Sequence, residues 1–323
     1  MRMHDAREVI AALPCGETLF PYRPDGYAPM LLRWRLEAGE PWRDLAHGPL
    51  RRLMEKPLLR DLVRRLDGRA PTADDLRALE LEGATPFRLS LGLWGCPGCF
   101  RWNQTSRPGT NLVLRLDFDR AHDEAFRELV DPFGFRPFEW DRHPVSRDDH
   151  TLAWARLDLD WDADEALVEE VQSDWVGEAR DAADDPHWFV TDMLERAERE
   201  GRPAMGRPRT LHRWRADLET YVTEVLPPRG RRWEEAMLAA ALWFAREELG
   251  FGRAFMHRWR AGCAFKRLEP GWGPPRSLYE ALPGRLAFGR TRERPAMLEG
   301  RWAEVRDGLN GREPHFWRIE LRS

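Results

Sequence analysis

The chain has 323 residues, 42% of them hydrophobic and 33% charged, with a formal net charge of −4. That apolar fraction supports a packed core and excludes a disordered chain, while the acidic balance excludes a generally basic nucleic-acid binder. No apolar run approaches the ~18 residues of a membrane span, and the opening Met1-Arg-Met-His-Asp-Ala-Arg-Glu8 has no apolar segment of signal-peptide type.

These features predict a soluble, cytoplasmic protein with no membrane partner. Its substrate, small or macromolecular, is not named by composition, and a local nucleic-acid contact stays compatible with the charge. Lysine occurs only at Lys56 and Lys266; every other basic residue that stays charged is arginine. Drift of Lys to Arg in a high-GC genome explains the pattern. Lys266 within Ala264-Phe-Lys-Arg-Leu268 then marks a position that needs an ammonium, as an acid or a phosphate contact. The cysteines are Cys15, Cys96, Cys99 and Cys263. Cys96-Pro-Gly-Cys99 has zinc-knuckle spacing without a second pair, so it reads as a turn, with a metal site or a redox pair as alternatives.

Residues 1–85 read as short helices. Met30, Leu31 and Trp34 form a buried stripe on one of them. Leu53, Leu58, Leu59 and Leu62 lie among arginines over 50–66, interrupted at Pro57. Thr72-Ala-Asp-Asp75 ahead of Leu76 is a helix start with a carboxylate in the first turn. From Phe87 the period becomes two: Phe87-Arg-Leu-Ser-Leu-Gly-Leu-Trp94 alternates, then breaks at Gly95-Cys-Pro-Gly98. A polar loop from Asn103 to Gly109 leads to Asn111–Phe118, whose Leu112, Leu114, Leu116 and Phe118 share a face. Ala121–Val130 is predicted helical, and His143-Pro144 and His150 precede the next strand. Strands are predicted over 151–160 and 166–175, then a helical insertion at about 176–232, its last helix closed by Pro227-Pro-Arg-Gly230. Trp233–Leu249 is apolar almost all round and so should be a buried helix, with Gly250 at its C′ position. Arg253–His257 reads as a strand, Pro274–Leu282 as a short helix, and Thr291–Leu298 and Phe316–Leu321 as late strands. The class is α+β: a helical N-terminal region over 1–85, and a core over 86–323 with a mostly antiparallel mixed sheet flanked by helices.

The 151–175 hairpin carries the chemistry. Leu167, Val171 and Trp175 point one way; Glu170, Gln172 and Asp174 point the other. With Trp161–Glu165 as the loop, Asp160 faces Ala166, Arg156 faces Glu170 and Trp154 faces Gln172. A cation, a carboxylate and an amide then share one face, which is either a polar site or a well-paired solvent face. For group transfer, Glu170 would be the general base, its pKa set by burial against pairing with Arg156, with Gln172, Ser173 and Asp174 orienting substrate. For a metal-dependent nuclease, Asp158 and Glu170 on adjacent strands would hold the ion, with Gln172 where a lysine is usual. For an NAD-using ADP-ribosyltransferase, Arg107 would clamp the diphosphate beside Glu170. A non-catalytic binding protein is the fourth reading, because sixteen tryptophans are present and exposure of Trp140, Trp161 or Trp272 would favour it. Gln104, Ser106 and Arg107 form a polar loop of the kind that lines a site or simply turns the chain.

Four blocks resemble those of a family of uncharacterised bacterial proteins that carry them in the same order. They are Gln104-Thr-Ser-Arg-Pro-Gly109 with Asn111-Leu-Val-Leu114; Thr151-Leu-Ala-Trp-Ala-Arg156 with Asp158; Ala166–Trp175; and Pro274-Pro-Arg-Ser-Leu-Tyr279 with Leu282-Pro283. A Glu-Glu-(Ile/Val)-Gln-Ser-Asp-Trp block also recurs in large phage and mobile-element proteins, so a role in phage conflict is one implication. The likeness implies that loop 104–109, the hairpin and the 274–283 helix form one unit. The order of hairpin, long helix, strand and Ser277-Leu-Tyr-Glu280 is remotely similar to the acetyl-CoA-dependent N-acetyltransferase superfamily. That likeness implies an acyltransferase-like enzyme, acyl-CoA as cofactor, and Tyr279 as general acid. The superfamily's Gln/Arg-x-x-Gly-x-Gly/Ala turn is replaced here by Gln172-x-x-x-x-Gly177-x-Ala179, two residues longer.

Overall fold

A computed structural model describes residues 1–12, 18–48, 50–95, 104–203, 209–269 and 273–322. The first part of the chain forms α1 (Met3–Ala12), β1 (Thr18–Tyr22), α2 (Tyr27–Glu37), α3 (Trp42–His47), α4 (Pro57–Arg65) and α5 (Ala73–Leu81). The strands β2 (Thr85–Trp94) and β3 (Asn111–Asp117) follow, then α6 (Arg120–Leu129) and the hairpin β4 (Thr151–Asp160) and β5 (Glu165–Gln172). A helical stretch comes next: α7 (Trp175–Asp184), α8 (Pro186–Glu200), α9 (Leu211–Thr220), α10 (Pro227–Gly230) and α11 (Trp233–Trp243). The chain closes with β6 (Arg253–His257), α12 (Trp259–Phe265), α13 (Arg276–Glu280), α14 (Leu282–Arg285), β7 (Gly289–Thr291), α15 (Trp302–Gly308) and β8 (Phe316–Glu320).

Among the described residues the strands form one open sheet in the order β1-β2-β3-β4-β5-β6-β8-β7. Every neighbouring pair is antiparallel except β5–β6, which is parallel. One face is apolar. Leu112, Leu114, Leu116, Ala153, Ala155, Leu157, Ala166, Val168, Ala254 and Met256 belong to its core, and α11 packs across β3, β4 and β5. Ala236, Ala239, Ala240 and Ala241 are fully or nearly fully buried there, so small side chains bring this helix close to the sheet. Thr72 and Asp75 cap α5 reciprocally, as the sequence motif predicts. The other face is mostly polar. A smaller apolar cluster of Leu167, Phe255, Phe265, Met297, Leu298, Trp302, Val305 and Phe316 covers only part of it.

Four expectations are corrected. The 1–85 region is not all helical, because Thr18–Tyr22 adds a strand. Pro21 is tolerated there because β1 is an edge strand that needs few donors. Thr291–Leu298 is not a strand. Pairing ends at Thr291, and Pro295, which cannot donate, precedes a 3₁₀ turn over Ala296–Arg301. Pro227-Pro-Arg-Gly230 does not simply close a helix: after π-helical turns over Tyr221–Val225 it forms α10 itself, with Pro at N1. The fourth concerns the hairpin. Arg156 faces Glu170 and Trp154 faces Gln172, but Asp160 faces Glu165, and Leu159 faces Ala166. A β-bulge at Glu169 absorbs the one-residue difference. It also switches the alternation, so Leu167 joins the cluster on the polar side while Val171 and Trp175 lie in the main core.

Candidate functional site

The bulge builds the site. Parallel pairing between β5 and β6 runs from Glu165/Arg253 to Val168/Met256 and stops there. Beyond it the strands part, and the bulge turns both Glu169 and Glu170 onto the polar face. The backbone carbonyl of Glu169, which β6 no longer reaches, accepts a hydrogen bond from Tyr279 Oη at 3.2 Å. Lys266 enters the same gap from the end of α12. Its Nζ lies 3.1 Å from Glu170 Oε2 and 3.4 Å from Tyr279 Oη. Arg156 donates to the same Glu170 oxygen, and to the carbonyl of Gln104 at 3.1 Å. Gln104 holds that carbonyl in place from a left-handed conformation, φ 51°.

All four ionisable groups are buried. Burial acts to raise the Glu170 carboxyl, but Lys266 and Arg156 outweigh it and bring it down to about 2. Burial lowers the Lys266 ammonium, against the pull of Glu170. Burial, then the Glu170 charge, pushes the Tyr279 hydroxyl well above its ordinary value. Glu170 is therefore a permanent anion at neutral pH and too weak a base for the general-base role expected of it.

Glu169 and His257 were not singled out by the sequence. Glu169 Oε1 and Oε2 accept from the Ser106 amide at 3.0 Å and the Ser106 hydroxyl at 2.6 Å, and His257 Nε2 lies 2.7 Å from Ser106 Oγ. His257 Nδ1 is buried with no partner. Burial lowers the His257 pKa despite Glu169, so the ring is neutral. With the hydroxyl donating to Glu169, Nε2–H must donate to Ser106 and Nδ1 carries the bare lone pair. The hydroxyl proton thus runs toward the carboxylate, and His257 does not activate Ser106 as a nucleophile. The available signal was the Glu169-Glu170 doublet: two adjacent charges in a buried strand cannot both leave the core unless the strand is bulged.

Arg107 lies one step along the loop. Its Nε and Nη2 grip Asp158 at 2.6 and 2.9 Å, and the amino group of Met1 meets Asp158 from the other side. Asp158 and Glu170, the pair a metal-dependent nuclease would need, each already face two cations. Arg107 is likewise committed to Asp158 and is not free to clamp a diphosphate. Arg107, Pro108 and Gly109 line a cavity of about 790 Å³ with Asp5, Glu8 and Asp160. Among the described residues the one group of three metal-ligating side chains is His4, Asp5 and Glu8 on α1, two of them exposed.

Gln172, Ser173 and Asp174 sit at the far end of β5. Asp174 Oδ1 accepts from His143 Nδ1 at 2.7 Å and Gln172 Nε2 at 3.0 Å. Ser173 Oγ donates to the Leu152 carbonyl at 2.6 Å and accepts from the Val176 amide at 3.3 Å, capping α7 from just ahead of its first turn. The structure thus joins Gln104, Ser106, Arg156, Glu170, Lys266 and Tyr279 in one network through Glu169. Arg107 borders it, Gln172 and Asp174 form a second cluster, and Ser173 serves as a cap. Trp140 and Trp161 are 57% and 45% exposed. Cys15, Cys96, Cys99 and Trp272 lie outside the described residues.

No family model, curated protein or solved structure matches this chain. No helix among the described residues is long and apolar enough to cross a membrane.

Proposed function

We propose that the protein is a group-transfer enzyme whose proton-handling centre is the gap between β5 and β6. The row Glu170–Lys266–Tyr279 carries this reading: an anion, an ammonium and a hydroxyl in hydrogen-bond sequence, buried in a gap beside a bulge. In it the Tyr279 hydroxyl gives its proton to the departing group as the bond to the transferred group breaks. The Lys266 ammonium returns a proton to the phenolate, and the proton that the acceptor amine sheds as it bonds to the transferred group reloads Lys266. Glu170 is the charge anchor that keeps Lys266 protonated. Tyr279 and Lys266 are shut off from solvent in this state, so turnover requires the cover made by loop 104–110 and α12 to open and close. The order of β4, β5, α11, β6 and α13 adds support, being the order that the acyltransferase resemblance implies.

Acyl-CoA, the donor implied by that resemblance, does not fit the turn after β5. Asp174 and Glu178 bring negative charge to the start of α7. Burial, then Asp181 and Asp174, raises the Glu178 carboxyl, and Ser173 already takes the Val176 amide. A diphosphate would meet carboxylates where it needs free N–H groups. The donor in this reading carries its group without a diphosphate at that turn.

The test is thiol release from a short acyl thioester, the N-acetylcysteamine ester, in the presence of a primary amine, with acetyl-CoA as a parallel donor. Tyr279→Phe should slow release about a hundredfold with the circular-dichroism spectrum unchanged. No release by the wild type from either donor, or equal release by the variant, rejects the reading. Exposed Trp140 and Trp161 favour a second reading, a binding protein. It would gain if thermal shifts with acetyl-CoA, NAD and Mn²⁺ were also all absent.

A further inference from the structure

We propose that the C-terminal end of β5 forms a separate site for a small primary amine with a neighbouring carboxylate, the α-amino-acid class. Arg115, Trp154 and Gln172 stand side by side on β3, β4 and β5, on the polar face. Asp174 follows at the start of α7. His143 joins the two, edge-on to the Trp154 ring with centroids 5.5 Å apart and bonded to Asp174.

Two buried polar atoms in this cluster meet no partner: Trp154 Nε1 and Asp174 Oδ2. The Asp174 side chain is 8% exposed and Trp154 is 3% exposed. His143 and Gln172 both serve Oδ1, which leaves Oδ2 without a donor. A buried polar atom left this way carries the full desolvation cost of the group, more for a carboxylate oxygen. The two unmet atoms have opposite needs. Oδ2 wants a donor, preferably cationic; the indole N–H wants an acceptor.

A ligand amine meets the first need and an adjacent carboxylate the second. Arg115, paired with Trp154 across the strands, adds positive charge to this part of the face. Among the described residues it enters no ion pair, and its guanidinium donates to the carbonyls of Pro144 at 2.6 Å and Leu91 at 2.9 Å. Trp140, exposed and edge-on to His143 with centroids 4.8 Å apart, continues the cluster toward solvent. Acidic Asp174 makes this a place for an amine, and not for the anionic group that the acyltransferase resemblance would put nearby. The inference stands on these atoms alone and does not depend on group transfer.

Isothermal titration of the full chain with common α-amino acids, one at a time, tests it, with methylamine and acetate as half-ligands. At least one amino acid should bind, and bind more tightly than either half. Asp174→Asn should weaken that binding about tenfold or more, because an amide N–H then opposes the amine. Trp154→Phe, which keeps a ring of similar shape without the N–H, should weaken it as well. No heat with any amino acid, or binding in both variants equal to wild type, overturns the site.

Discussion

Two polar clusters share one face of the sheet and differ in how their hydrogen bonds close. In the gap between β5 and β6, Glu170 faces Arg156 and Lys266, Glu169 is held by both donors of Ser106, and even the carbonyl freed by the bulge is taken by Tyr279. At the end of β5, Trp154 Nε1 and Asp174 Oδ2 are equally buried and take part in no hydrogen bond. Ionisation is strongly displaced in the first cluster, yet its carboxylates, its ammonium and its freed carbonyl are all met, and an atom left over there is His257 Nδ1 at its edge. A displaced pKa therefore marks buried charge, whether scaffold or catalyst, while an unmet hydrogen bond marks a missing partner.

The comparison breaks first if the gap network is not really closed. Glu170→Ala takes from Lys266 and Arg156 the carboxylate they both contact and leaves them in a buried site with only Glu169, already held by Ser106, as counter-charge. The expected loss is about 3–5 kcal/mol of unfolding free energy, read from urea denaturation. Lys266→Met added to that variant should recover part of it, since one of the stranded cations is then gone. A single-variant loss below ~1 kcal/mol would mean that water reaches these charges.

Acid titration gives the next largest effect. The Glu170 carboxyl lies at about 2 in the fold against its ordinary 4.5. A depressed folded value means stability that is present above 4.5 and lost as pH falls toward 2, on the order of 3 kcal/mol. Glu170→Gln should make that acid limb shallower and leave the shares of Glu169 and Asp123, which also lie at about 2. Asp117 works in the opposite sense. Burial outweighs its bonds from Ser90 and Thr151 and raises it to about 6, so its contribution is present below 3.8 and lost as pH rises through 6. Asp117→Asn should flatten the limb between those values and leave the acid one alone. Tyr279→Phe removes one hydroxyl and leaves the Glu169 carbonyl without its donor. We expect about 1–3 kcal/mol, measured by the same denaturation.

Much of the frame was legible because it depends on local periodicity. The alternation of Asn111–Phe118 and Thr151–Asp160, the capping box at Thr72, and the all-apolar run after Trp233 each specify their element without help from the rest of the chain. The cross-strand facing of Arg156 and Glu170 was legible for a subtler reason: the assumed loop was one residue too long, and the bulge restored the register at that pair. What could not be read was which long-range neighbours close the gap. His257 looked like the end of a short apolar strand, and its approach to Ser106 depends on the parallel pairing of β5 and β6, with the whole α7–α11 stretch between them in sequence. Lys266 was found by composition rather than pattern. β1 was missed because a strand of five residues containing Pro21 carries almost no periodic signal, and edge position is a tertiary fact.

The smallest effect is the sharpest test of the contrast. In a closed network, deleting a polar atom exposes its partner; in the open cluster there is no partner to expose. Trp154→Phe removes an indole N–H that bonds to nothing and keeps an aromatic ring against His143. The penalty for the buried unmet donor disappears with it and offsets the lost ring area, so the net change should stay within about 1 kcal/mol. Asp174→Asn keeps the oxygen that His143 and Gln172 address and replaces only the oxygen with no partner, which predicts a similarly small change. Tyr279→Phe and Trp154→Phe each delete one polar group from a buried ring on the same face. Compared by denaturation at one pH, they should differ because only the first leaves something behind.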